Sequence, residues 1–114
     1  MTVFVMKLKS EFFDKVRSGS KIYEVRLNDE KRQKIGIGDC IIFKKEPELL
    51  DGVIVRVVDV KRFESFEQMA TILSLESVGF EKKNASQVSR FYHTIYSRAD
   101  EKKYGVVAFK LELV

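Results

Sequence analysis

The sequence contains one cysteine, Cys40, and one histidine, His93. A lone cysteine forms no internal disulfide, and with a lone histidine it offers no thiolate or imidazole cluster for a metal ion. That cysteine usage fits a reducing compartment. No apolar run approaches the ~18 residues that a membrane span requires. The stretch from Met1 to Phe13 has no basic segment ahead of a long apolar one, so no secretory leader is expected. The chain reads as cytoplasmic, with no membrane partner, no metal and no cofactor. Internal repeats, low-complexity segments and linkers are missing too, and 114 residues suit one domain spanning 1–114.

What is present is a globular composition, 45 % hydrophobic and 33 % charged, which excludes a disordered chain. The net charge of +4 is compatible with phosphate-bearing partners. It is equally compatible with a solvated surface of mixed charge.

Alternation and helical spacing predict the elements. Strands are expected near 3–8, 21–27, 39–45, 52–63 and 104–113. Ser10 is placed to cap a short helix that Gly19 ends. Ser65 with Gln68, and Asn84 with Gln87, form capping-box patterns ahead of helices near 65–74 and 85–97. Short strands with two groups of helices predict an α+β fold, a small curved sheet or barrel flanked by helices.

The stretch Gly19-Ser20-Lys21-Ile22-Tyr23-Glu24-Val25-Arg26 carries the densest chemistry. Glu24 and Arg26 share one face of a strand. Strand parity places Lys21 on the other face, so it joins them only if the Gly19-Ser20 turn breaks the alternation. An acid between two bases can orient hydrogen-bonding groups for a ligand, and a desolvated lysine beside a carboxylate can be tuned for proton transfer. The plain alternative is an exposed ion-pair network of little energetic value. On that footing Lys21→Ala and Arg26→Ala should leave thermal stability nearly intact.

Gly19-x-Lys21-x-x-Glu24-x-Arg26 resembles the signature of ASCH domains, a PUA-like family. Lys31-Arg32-x-x-Ile35 followed by Ile37-Gly38-Asp39-x-Ile41-x-Phe43 resembles a second block of that family, and Tyr104-Gly105-Val106-Val107-Ala108-Phe109 its closing strand. The resemblance implies a small PUA-like β-barrel of about five to six mostly antiparallel strands, with a cleft facing the helices. It also implies RNA or a nucleotide or nucleoside as partner. One bacterial branch hydrolyses N4-acetylated cytidine, with a lysine matching Lys21 and an arginine matching Arg26. That branch has threonine at the position of Glu24, and it uses a glutamate from the helical segment. Glu81 is the nearest match by position, ahead of Glu76. The resemblance thus offers Lys21, Glu24 and Glu81 as catalytic candidates, while the residue at position 24 leaves catalysis open.

Ligand-binding candidates are Arg26, the basic loop residues Lys31 and Arg32, and Tyr96, whose ring could stack on a base. Tyr92 and Tyr104 share that option, although tyrosines on such stripes usually belong to a core. His93 is expected at the surface and Cys40 as buried filler. Three readings remain open: a nucleotide- or RNA-binding domain, a hydrolase of a modified nucleoside or of RNA, and a protein-interaction module.

Overall fold

The computed structural model describes residues 1–114. Alternation shapes its first strand: β1 (Val3–Leu8) buries Met6 and Leu8 and exposes Val3, Val5 and Lys7. Then come α1 (Ser10–Ser18), β2 (Tyr23–Leu27), β3 (Cys40–Lys45) and β4 (Gly52–Phe63). Four short helices follow, α2 (Phe66–Ile72), α3 (Leu75–Val78), α4 (Ala85–His93) and α5 (Arg98–Tyr104), and β5 (Val106–Leu113) closes the fold. The strands form one sheet in the order β1-β3-β4-β5-β2. β1 and β3 are parallel, which the long excursion through α1 and β2 permits. The other pairs are antiparallel.

β5 lies second from the edge, and its run Val106-Val107-Ala108-Phe109 is buried throughout. A continuous apolar run is what a strand covered on both faces needs. β4 bends by a register shift between Val57 and Asp59. Its first half pairs with β3 and its second half runs along β5, so the shift turns the sheet. The result is a half-barrel rather than a closed one. Its edge strands β1 and β2 share no ladder, but Arg26 Nη2 donates to the Lys7 carbonyl at 2.9 Å across the seam.

The helices depart from the sequence reading in three places. Ser10 is the first residue of α1, not its cap: Lys9 holds that position, and its carbonyl accepts from Phe13 N–H. The helix expected near 65–74 ends at Ile72, and a one-turn α3 follows, capped by Ser74. The helix expected near 85–97 ends at His93, and Ser97 caps α5, which runs to Tyr104 and delays β5 to Val106. Arg98 to Tyr104 has too few apolar residues to carry a helical stripe, so its cap was its only signal. α5 also moves His93 from the expected surface into a mostly buried position, because it returns Glu101 to within 2.9 Å of His93 Nε2.

The capping box of Asn84 and Gln87 is complete. Ser65 caps α2, while the Gln68 side chain reaches back to Glu64 N–H. One core runs from Phe13 and Phe43 to Phe66 and Phe109, all fully buried. Each such ring contributes roughly 1.5–3 kcal/mol by leaving water. Phe66 joins α2 to the far end of α4, stacking on Tyr92 at 4.5 Å and on Tyr96 at 5.6 Å. Cys40 is buried. No helix is long and apolar enough to cross a membrane.

Candidate functional site

The Gly19 turn prepares the site. Gly19 is left-handed at φ 85°, and the chain then runs past α1, with Lys21 N–H bonded to the Lys15 carbonyl. The ladder of β2 starts only at Tyr23, so Lys21 is free of strand parity. Its ammonium turns toward Glu24, with Nζ 3.1 Å from Oε1. The other Glu24 oxygen accepts from Arg26 Nε at 2.7 Å. One carboxylate therefore joins two cations, at 2 % exposure for Lys21 and 4 % for Glu24. This is not the exposed network that charge patterning suggests.

Lys21 is fully engaged. Besides Glu24 it donates to the Tyr23 carbonyl and, at 2.9 Å, to the Val78 carbonyl at the end of α3. An ammonium has three donors, and all three are used. Arg26 is different: Nε serves Glu24 and one Nη2 hydrogen serves Lys7, which leaves the Nη1 end of the fork free.

Burial pushes the Lys21 amine below its ordinary pKa, only partly offset by Glu24. Burial alone would raise the Glu24 carboxyl, but the charges of Arg26 and Lys21 outweigh it and hold the group below 4.5. For Arg26, burial is outweighed by Glu24, and the guanidinium stays charged. Burial, then the Glu24 charge, pushes the Tyr92 phenol well above its ordinary range, so it stays a neutral hydroxyl.

These groups border a cleft of about 140 Å³ at the seam between β1 and β2. Phe12, Phe91 and Ile95 supply apolar wall, and Tyr92 and Tyr96 reach it from α4 and the turn beyond. Lys7 and Lys9 stand at its β1 side, and Lys9 Nζ lies 5.4 Å from the centre of the Phe91 ring. The sequence reading missed these two lysines, Phe12 and Phe91. The aromatic pair sits on helical stripes that read as core, and nothing local reveals that β1 curls round to face β2.

Of the candidates read from the sequence, Lys21, Glu24, Arg26 and Tyr96 line this cleft. Glu81 is exposed in the loop after α3 and does not line it, nor does Glu76. Lys31 is exposed outside the cleft, and Arg32 is occupied by Asp29 at 3.0 Å. Both belong to the loop after β2, beyond the point where the strand leaves the seam. Tyr104, at the end of α5, also lies elsewhere.

The cleft can therefore grip a flat or anionic group with a charged fork, a neutral hydroxyl and aromatic walls. No cluster of carboxylates, histidine and cysteine could hold a metal ion.

Two solved structures of similar size resemble the whole chain. One is hypothetical protein PH0355, 33 % identical with a TM-score of 0.87 over 100 % of both chains. The other is protein PF0455 from Pyrococcus furiosus, 32 % identical with a TM-score of 0.77 over 100 % of this chain and 98 % of that one. The ASCH structure from Zymomonas mobilis shares the fold at 13 % identity, with a TM-score of 0.65 over 95 % of this chain and 65 % of that one. No curated protein matches the sequence. The ASCH domain model matches residues 6–114, from within β1 through the seam and past the end of β5. On that match, the chain belongs to the ASCH domain family.

Proposed function

We propose that the chain binds RNA or a nucleotide in the seam cleft, with Arg26 as the main contact and Lys21 and Glu24 holding it in place. The observation that supports this is the donor count. Every Lys21 ammonium hydrogen is taken within the protein, whereas the Arg26 fork keeps its Nη1 end open. Removing a proton from Lys21 would set a lone pair against two carbonyls and a carboxylate, a poor arrangement for a general base.

The size of the cleft narrows the ligand. An apolar cavity of about 150 Å³ accepts one benzene-sized ring, whereas drug-sized ligands fill roughly 300–1,000 Å³. A cleft of about 140 Å³ thus takes one base or sugar, and the remaining backbone lies outside along Lys7 and Lys9. Phe91 offers a stacking face and Arg26 a forked contact to oxygen.

Titration with single-stranded RNA at several salt concentrations tests this. Arg26→Ala should abolish binding. The double change Lys7→Ala, Lys9→Ala should lower the slope of log affinity against log salt by about 1.4, roughly 0.7 per lost phosphate contact. Absence of binding to RNA, nucleotide and nucleoside at low salt sinks the reading. That outcome favours an interaction module using the exposed Val3, Val5 and Ile54 on the outer sheet face.

A second reading, a hydrolase of a modified nucleoside, draws on the lowered pKa of Lys21 at the cleft wall. With Glu81 outside the cleft, the carboxylates that line it are the buried Glu24 and the half-buried Glu46. Its test is acetate release from N4-acetylcytidine by the wild type and by Glu24→Thr. No turnover from either removes it.

A further inference from the structure

A second cleft lies on the opposite side of α4. It measures about 160 Å³ and is lined only by polar and charged residues, drawn from α2, α4, α5 and the Ser65 cap. Glu67, Ser86, Arg90 and Arg98 are exposed along it, whereas Ser89 and Glu101 are buried and need partners for their polar groups.

Its two carboxylates differ. Glu101 is 8 % exposed and fully answered: Oε2 accepts from Phe66 N–H at 2.8 Å, and Oε1 lies 2.9 Å from His93 Nε2. Glu67 is exposed at the rim with no ion-pair partner. Arg90 and Arg98 are likewise exposed and unpaired, although both line the same cleft. Ser89, 6 % exposed, also lines the cleft, and its hydroxyl makes no hydrogen bond within the protein. It lies one helical turn before His93, on the same face of α4. A buried serine hydroxyl ordinarily bonds back to the preceding turn or to a neighbour. This one makes no such bond, and in the same cleft His93 Nδ1 is buried without a partner.

We propose that this cleft binds a phosphate group, gripped by Arg90 and Arg98 and receiving a hydrogen bond from the Ser89 hydroxyl. The guanidinium fork matches phosphate oxygens in pairs. Glu101 is engaged by Phe66 N–H and His93, which leaves Glu67 as the carboxylate without a partner facing the two arginines. The phosphate can be the free anion or belong to a nucleotide, and the chemistry of the grip is the same. This site stands apart from the seam cleft and does not depend on the reading given to it.

The test is an NMR titration of the ¹⁵N-labelled protein with inorganic phosphate and, separately, with adenosine 5′-monophosphate. Saturable shifts are expected at Ser89, Arg90 and Arg98. The double variant Arg90→Ala, Arg98→Ala should weaken binding at least about tenfold, the scale of losing charge-assisted hydrogen bonds. Both arginines are exposed, so the variant should fold. Glu67→Gln should tighten binding by removing the carboxylate that has no partner in the cleft. Tighter binding of the nucleotide at Ser89 assigns the phosphate to a nucleotide, and tighter binding of inorganic phosphate assigns it to the free anion. Shifts that never saturate, or an affinity unchanged in the double variant, overturn the proposal.

Discussion

Arg26 Nη2 donates to the Lys7 carbonyl at 2.9 Å, joining two edge strands that have no ladder between them. The same side chain is held by Glu24 through Nε, so one residue both closes the seam and presents a charge to the cleft. Arg26→Lys should keep the charge and lose the fork. The expected outcome is RNA affinity reduced at least about tenfold with a smaller loss of stability, read by titration beside chemical denaturation. Unchanged affinity would show that charge alone suffices.

Lys21→Ala should destabilise the fold by about 3–5 kcal/mol, because it leaves Glu24 buried with one of its two cations removed. The sequence reading expected almost no loss, on the premise of an exposed pair; the 2 % exposure of Lys21 reverses that. Lys31→Ala, at an exposed position, should stay within about 0.5 kcal/mol of wild type. Urea denaturation of the two variants settles the contrast.

Stability should fall on acidification through Glu24. Its folded pKa lies below 4.5, so the unfolded chain binds the proton more readily. The contribution is complete above 4.5 and is lost as pH drops through the folded value. Lys21 acts in the same direction at the alkaline end: burial lowers its folded pKa below 10.5, so its contribution grows as pH rises toward that value. Denaturation curves across pH should show the acid loss in the wild type and a flatter dependence in Glu24→Gln.

Gly79→Ala should be costly where Gly36→Ala is mild. Gly79 has φ +103°, and an added Cβ would lie 3.0 Å from both Lys21 Cδ and Phe12 Cδ1. Backbone strain alone contributes roughly 1–2 kcal/mol, and the crowding displaces the lysine that holds Glu24. At Gly36 the nearest atom is Asp39 Oδ2 at 3.9 Å, and φ is not positive. Melting temperatures of the two variants provide the comparison.

The sequence by itself determined the strands and the family motif. β1 and β4 fall where alternation and β-branched runs place them, because period-two burial is a local property. Glu24 and Arg26 share a strand face for the same local reason. α5 escaped because Arg98 to Tyr104 is stabilised by its Ser97 cap and by Glu101 reaching Phe66 N–H and His93 across 35 and 8 residues. Only the tertiary structure decided that Lys21 abandons parity to meet Glu24, that this trio is buried, and that Lys7 and Lys9 face Arg26 while Glu81 and Lys31 do not. Those outcomes depend on the bend of β4 curling the sheet until its two edges meet. Spacing along a chain carries no information about which ends a bent sheet brings together.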